Sequence, residues 1–223
     1  MVGFVIIKQI FNGVYSVDGK LATLNLVKGK KVYGEDLVRD DGREFRMWTP
    51  YRSKLSAAIM KGLKEFHIEE GGSVLYLGAA NGTTPSHISD IVGAGGRVFA
   101  VEMSERSMRD LISVCETREN MLPILADAHR TELYSSIVGT CDVIYQDVSA
   151  REQAQILKAN SRFLNKGGYA YFIIKSQSVD MTKDPESVFR QELAQLEDIF
   201  DVVQTLELEP YDSAHLFAVL KKK

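Results

Sequence analysis

Val74-Leu75-Tyr76-Leu77-Gly78-Ala79-Ala80-Asn81-Gly82-Thr83-Thr84 is the stretch on which the fold turns. A short apolar run breaks at a glycine, crosses a loop of small residues, and at Thr84 enters a segment through Val92 that reads as a helix. Glycine and alanine let the backbone approach a ligand closely, and the first N–H groups of the helix are free to meet ligand oxygens. The loop is not Gly-x-Gly-x-x-Gly and no Lys-Ser/Thr pair follows, which disfavours a phosphate-cradling NTPase loop.

Downstream, β-rich runs alternate with amphipathic segments, the pattern of a mostly parallel sheet covered on both faces. Strands are predicted at Val74 to Leu77, Val98 to Val101, Leu122 to Leu125, Val143 to Tyr145 and Ala170 to Ile174. Helices are predicted at about Thr84 to Val92, Glu105 to Arg118, Glu152 to Phe163 and Pro185 to Ile199. Two last strands, Val202 to Leu208 and Leu216 to Leu220, have no helix between them and suggest an antiparallel hairpin. Lys221 to Lys223 reads as a solvated tail. Upstream, Phe4 to Phe11, Val14 to Val17 and Leu21 to Val27 are strands punctuated by Asn12-Gly13 and Asp18-Gly19; Asp41-Gly42 marks a further hairpin within residues 31–46. Ser53 then precedes a helix, with Leu55, Ala58, Ile59, Leu63 and Phe66 on one face. The expected class is α/β: residues 1–50 form a small antiparallel β domain and residues 51–223 the main domain.

At 223 residues, 45% hydrophobic and 26% charged, the chain is long enough for a substantial core. The apolar run Gly3 to Ile7 is too short for a membrane span and lacks the features of a signal peptide, so an intracellular protein is expected. Cys115 and Cys141 have no metal-ligand spacing and are expected to be reduced and inert. The net charge of −3 argues against wrapping nucleic acid by bulk electrostatics. Residues 1–60, however, carry ten Lys/Arg against six Asp/Glu, net +4, leaving −7 for the remainder. Lys28, Lys30, Lys31, Arg39, Arg43, Arg46, Arg52 and Lys54 therefore read either as a phosphate-contacting surface or as solvated strand edges that discourage aggregation.

The second strand of the alternating region ends in Val101-Glu102, about two dozen residues beyond Gly78, where an acidic side chain can accept hydrogen bonds from both hydroxyls of a nucleoside ribose. Asp127-Ala128 follows the third strand, placed to meet an adenine edge, and Asp147 follows the fourth. Any one of these carboxylates alone reads as a helix cap or a solvated loop residue. Four strand ends each delivering a polar residue to one edge are what an α/β ligand site requires, and taken together in this order they outweigh that reading.

Several stretches resemble the fibrillarin family. They are Arg46-Met47-Trp48-Thr49-Pro50-Tyr51-Arg52-Ser53-Lys54-Leu55, Tyr76 to Thr84 with Ser86-His87-Ile88-Ser89-Asp90-Ile91-Val92-Gly93, Val101-Glu102, and Asp142-Val143-Ile144-Tyr145-Gln146-Asp147-Val148. Ile173-Ile174-Lys175 with Ser178-Val179-Asp180, and Glu209-Pro210-Tyr211 with His215, complete the set across nearly the whole chain. The resemblance implies a Rossmann-like S-adenosylmethionine-dependent methyltransferase fold with a mostly parallel seven-stranded sheet behind the small N-terminal β domain. It further implies RNA ribose 2′-O-methylation in a box C/D guide particle, acting on rRNA and tRNA. By motif, Lys54, Asp147, Lys175 and His215 become the catalytic set. Gly78, Ala79, Ala80, Gly82, Thr83, Thr84, Glu102, Met103, Asp127, Ala128, Asp147 and Gln153 become the contacts to S-adenosyl-L-methionine. The implied partners are a Nop-domain scaffold protein, a kink-turn-binding ribosomal-type protein, the guide RNA and the target RNA, with no membrane. Without a glycine- and arginine-rich tail, the chain resembles the archaeal, cytoplasmic form. It departs from the family pattern at Asn81, Ser149-Ala150 and Ser176.

The chemistry suits those residue types. A ribose hydroxyl is a poor nucleophile that must be held in line with the methyl group and relieved of its proton. An aspartate between two lysines favours its ionised form, so Asp147 can orient a lysine or receive the proton, while Lys54 and Lys175 stabilise the developing alkoxide. His215 can position the ribose or pass the proton on. A lysine acting as base would first need burial to lower its pKa. The bland alternatives are a surface lysine at each position and a satisfied histidine at a strand start. His67, His87 and His129 read as structural; Trp48 and Tyr51 read either as core or as stacking partners for a base. Two rivals stand beside this reading: a stand-alone methyltransferase on a small molecule or protein, and an architectural subunit without turnover.

Overall fold

In the computed structural model, which describes residues 5–223, the chain forms two sheets in sequence order. The first holds β1 (Ile7–Phe11), β2 (Val14–Val17), β3 (Lys20–Leu24), β4 (Leu37–Asp40) and β5 (Arg43–Met47), all antiparallel, in the order β1-β2-β3-β5-β4. Its tight hairpins fall at the predicted turn residues: Asp18-Gly19 and Asp41-Gly42 both carry positive φ, which matches the turn to the strand twist. The strand expected from Phe4 begins at Ile7, and Phe4 itself lies outside the described residues. The strand expected to reach Val27 stops at Leu24. Acidic side chains organise the segment that follows: Glu44 accepts from the Gly29 N–H and from Asn25, and Glu35 accepts from the Val32 and Tyr33 N–H groups.

The second sheet is built from β6 (Ser73–Leu77), β7 (Arg97–Glu102), β8 (Met121–Leu125), β9 (Cys141–Gln146), β10 (Leu164–Lys175), β11 (Phe200–Glu207) and β12 (His215–Lys222), ordered β11-β12-β10-β9-β6-β7-β8. Only β12 is antiparallel to its neighbours, so the fold is a mostly parallel seven-stranded sheet closed by the expected terminal hairpin. Its helices are α1 (Lys54–Met60), α2 (Thr83–Val92), α3 (Glu105–Cys115), α4 (Gln153–Asn160), α5 (Ser176–Val179) and α6 (Pro185–Ala194). Alternation along the strands divides the core between the two faces. Val74, Tyr76, Val143 and Tyr145 pack with α1, α2 and α3, whereas Leu75, Leu77, Ile144 and Phe172 pack with α4 and α6. The chain order reverses between β6 and β9, which opens a crevice at their carboxyl ends, the usual ligand position in such sheets.

Three expectations need correction. Helix α1 stops at Met60 because Gly62 takes φ +92; Leu63 is buried beyond the helix and Phe66 stacks on Phe11 of β1. Lys222 is not a solvated tail residue: it pairs with Phe200 in the sheet, and its ammonium donates to the Ser161 and Leu164 carbonyls at 2.7 Å. Arg46 is not part of a basic surface but fully buried. It pairs with Glu35 at 2.6 Å and with Asp90 of α2 at 2.8 Å, while Arg118 takes the other Asp90 oxygen at 2.7 Å. Thr23 and the Leu26 N–H also donate to Asp90, so one carboxylate ties the first sheet to α2 and to the segment after α3. His87, buried beside it, bonds Thr23 and Tyr33 through its two ring nitrogens and stacks on Trp48. Burial and the nearby arginines hold its pKa well below the ordinary value, so it is neutral and structural. Cys141 is buried and Cys115 half-buried; burial pushes their thiols up to about 12 and about 11, which keeps both unreactive.

Candidate active site

Gly78 takes φ +83 as the chain leaves β6, and a Cβ built there would lie 2.7 Å from the Asp147 carbonyl oxygen. Only glycine allows the loop to pass the end of β9 this closely. Ala80 also has positive φ, and its N–H donates to Glu102 Oε2 at 2.8 Å; the Ser104 N–H donates to Oε1 at 2.7 Å. These bonds fix the buried Glu102 carboxylate at the end of β7 while leaving each oxygen capacity for a further donor.

Gly78, Ala80, Glu102, Met103, Asp127, Ala128, Asp147 and Lys175 share the lining of a cavity of about 260 Å³. Asp127 sits in a turn closed by His129, whose backbone N–H, together with its ring, holds the carboxyl below its ordinary pKa. A second cavity, about 830 Å³, adjoins along Gly78, Ala80 and Asp147 and takes in Ala79, Thr83, Thr84 and Lys54. Its far wall carries Lys30, Lys31 and Arg52, so part of the basic N-terminal charge does face the site. Gly82 and Gln153 line neither cavity. Gly82 begins α2 against Leu111, and Gln153 is fully buried behind the site, where its side-chain amide bonds the Lys175 N–H and the Ala150 carbonyl. Asn81 bonds Asp110 at the rim.

The four residues of the expected catalytic set converge from four elements. Ser53 caps α1 through the Ser56 N–H and so presents Lys54 at the first helical position. Lys54 Nζ lies 3.1 Å from Asp147 Oδ2, and Lys175 Nζ, at the end of β10, lies 2.8 Å from Asp147 Oδ1. The Lys175 ammonium directs its hydrogen bonds to the Asp147 carbonyl and to Ser149 Oγ, each at 3.0 Å. Asp147 Oδ1 is thus buried, beside a positive charge, and without a hydrogen-bond donor among the described residues. His215 opens β12 as the register partner of Lys175.

Asp212 is a carboxylate that the sequence reading passed over. Its Oδ2 lies 3.5 Å from Lys54 Nζ and its Oδ1 3.0 Å from His215 Nδ1. Burial alone would lower the Lys54 pKa, but the charges and hydrogen bonds of Asp147 and Asp212 outweigh it and hold the ammonium above its ordinary value. These two carboxylates therefore hold Lys54 in its charged form. The only available signal for Asp212 was its place three residues before His215.

Sequence comparisons agree in direction. A family model described as Fibrillarin matches residues 5–223. A Pyrococcus abyssi protein named fibrillarin-like rRNA/tRNA 2′-O-methyltransferase is 49% identical over 221 residues, covering 96% of this chain and 97% of that one. Aeropyrum pernix fibrillarin, solved in complex with natively bound S-adenosyl-L-methionine, is 44% identical with a TM-score of 0.90 over 99% of this chain and 100% of that one. A fibrillarin solved as a fibrillarin/Nop5p complex is 38% identical with a TM-score of 0.88, covering 97% and 100%.

Proposed function

The chain belongs to the fibrillarin family, and from that membership we propose how its own residues carry out RNA methylation. It is an S-adenosylmethionine-dependent RNA ribose 2′-O-methyltransferase of box C/D guide particles, and S-adenosyl-L-methionine is its methyl donor. The cofactor supplies an electrophilic methyl group on a sulfonium. The residues present fit it: Gly78 clears the backbone for close approach, Glu102 offers two fixed oxygens to ribose hydroxyls, and Asp127-Ala128 closes the far end. Thr83 and Thr84, with the first N–H groups of α2, face the neighbouring cavity, where they would hold the amino-acid end. Gly82 and Gln153 act behind that surface by shaping it.

The observation that carries the catalytic assignment is the Asp147 carboxylate clasped between two ammonium groups, Lys54 Nζ at 3.1 Å and Lys175 Nζ at 2.8 Å. The clasped carboxylate fixes the two ammonium groups at the place where the ribose 2′-hydroxyl meets the methyl. Lys54 and Lys175 then stabilise negative charge as it develops on the hydroxyl oxygen. His215 completes the set. Residues 1–50 act as a small domain that contributes Lys30, Lys31 and part of the target-strand wall, and residues 51–223 act as the methyltransferase domain.

The family setting supports a Nop-domain scaffold as a partner, since a solved relative is a fibrillarin/Nop5p complex. Guide RNA, target RNA and a kink-turn-binding ribosomal-type protein complete the proposed particle. The acidic overall charge leaves RNA affinity mainly to the assembly, and among the described residues no helix is long and apolar enough to cross a membrane. The test is transfer of labelled methyl to a guide-complementary RNA, with and without the partner proteins, beside a matching 2′-deoxy target. Methylation that needs the partners and vanishes on the deoxy target is expected. Methylation of the deoxy target, or of RNA without a guide, refutes the guided ribose reading.

A further inference from the structure

The loop between β11 and β12 brings a second carboxylate to the site from outside the four-residue set. His215 Nδ1 lies 3.0 Å from Asp212 Oδ1 and 2.6 Å from the Ser213 carbonyl oxygen. A ring nitrogen that faces two acceptors carries the hydrogen, so the neutral imidazole is the Nδ1–H tautomer and Nε2 holds the lone pair. The other charged groups around this pair are Lys54 from α1, Asp147 at the end of β9 and Lys175 at the end of β10. Lys54 is held protonated between two carboxylates, which removes it as a base. Closing the loop does not need the Asp212 carboxylate, because the Tyr211 and Asp212 N–H groups already bond the Leu208 carbonyl.

Resting on the ribose-methylation reading above, we propose that Asp212 is a positioning residue that fixes His215 with Nε2 free, and that Nε2 receives the proton of the reacting 2′-hydroxyl. As the hydroxyl oxygen bonds the methyl carbon, the carbon–sulfur electron pair returns to sulfur and the O–H proton passes to Nε2. The imidazolium so formed lies against the Asp212 carboxylate, which stabilises it. The logic is that of a carboxylate orienting a catalytic histidine, reached here through a loop carboxylate three residues upstream.

The experiment has two arms. In the isolated chain, ¹⁵N imidazole chemical shifts of His215, followed across pH to the neutral form, are expected to show Nδ1 protonated and Nε2 unprotonated; an Nε2–H tautomer overturns the proposal. In the reconstituted particle, D212N is expected to lower kcat about 10- to 100-fold, the usual cost of losing an orienting partner, with KM values nearly unchanged. The acid limb of its kcat profile moves to lower pH, and D212E recovers part of the rate. Adding D212N to H215Q changes kcat by no more than about threefold, because the two residues act as one unit. An unmoved pH profile, or losses that multiply in the double variant, overturns the assignment. Thermal unfolding and calorimetric cofactor binding of D212N distinguish a folded from an unfolded variant, and if D212N is unfolded the tautomer arm and D212E decide. A wild-type particle that methylates the deoxy target refutes the ribose reading itself, not the role of Asp212.

Discussion

Replacing Gly78 by alanine tests the claim that the loop after β6 positions the Asp147 carboxylate for the proposed chemistry. The residue has φ +83, and a left-handed conformation costs an L-residue roughly 1–2 kcal/mol. The new Cβ would sit 2.7 Å from the Asp147 carbonyl oxygen and 3.3 Å from the Val148 Cα, both backbone atoms that cannot swing aside. Such overpacking adds about 1–3 kcal/mol, for a total of about 2–5 kcal/mol. Restoring an ordinary contact of 3.4 Å separates the two backbones by about 0.7 Å, directly at Asp147. Since a misplacement of about 1 Å costs about 10²-fold, kcat is expected to fall roughly 10- to 100-fold. The control is Gly42→Ala: φ is +72 in the β4–β5 turn, with no atom within 4 Å of the added Cβ. It incurs only the conformational cost and should leave kcat intact. Thermal unfolding with guided methylation kinetics reads both effects. At about 2–4 °C per kcal/mol for a chain of this size, Gly78→Ala should unfold roughly 4–20 °C below the parent. If Gly78→Ala loses no more stability than Gly42→Ala and keeps the parental kcat, the close approach at Gly78 does not position Asp147.

Further outcomes follow from the same geometry. Asp90→Asn removes the carboxylate shared by buried Arg46 and Arg118, and calorimetry should show a loss of about 3–5 kcal/mol; a loss under about 1 kcal/mol contradicts the role of the network. Lys54→Met should lower kcat about 10²- to 10³-fold with cofactor affinity retained, and an equal loss in cofactor affinity would show Lys54 to be a binding residue instead. Because the Lys54 pKa is raised in the folded protein, its ion pairs stabilise fully below the unfolded value and are lost only as pH rises through the folded one. Stability lost with Lys54→Met should therefore shrink at strongly alkaline pH, and pH-dependent unfolding that shows it shrinking near neutrality sinks the charge assignment. Ser149→Ala should change kcat by no more than about threefold, because Lys175 keeps its contacts to the Asp147 carbonyl and carboxylate; a loss of about 100-fold in single-turnover assays would make Ser149 the main anchor of Lys175.

The sequence determined the architecture wherever local chemistry and burial agree. Gly-containing turns with positive φ mark the hairpins, and apolar runs after Gly71 become the parallel strands, because each residue's role there depends on its near neighbours. The motifs also placed Lys54, Asp147, Lys175 and Glu102 at element ends, where the structure brings the first three within ion-pair distance and fixes Glu102 at the end of β7. What failed was length and pairing. Helical periodicity carried α1 on to Phe66, although the chain breaks at Gly62 so that Leu63 and Phe66 can pack elsewhere.

Charge was the least legible property, because a lysine or arginine reads the same whether it meets water or a carboxylate. Arg46, grouped with a basic surface by its position, is buried against Glu35 and Asp90, and Lys222 closes the sheet instead of ending a tail. Asp212 and His215 meet only because the β11–β12 loop turns back upon itself, and Asp212 and Asp147 share Lys54 only because α1, β9 and that loop converge. The sequence could name the residue types the chemistry requires. Only the tertiary structure decided which charges share one site, because that depends on distances between residues remote in the chain, and it is there that the Lys54 ammonium is held charged.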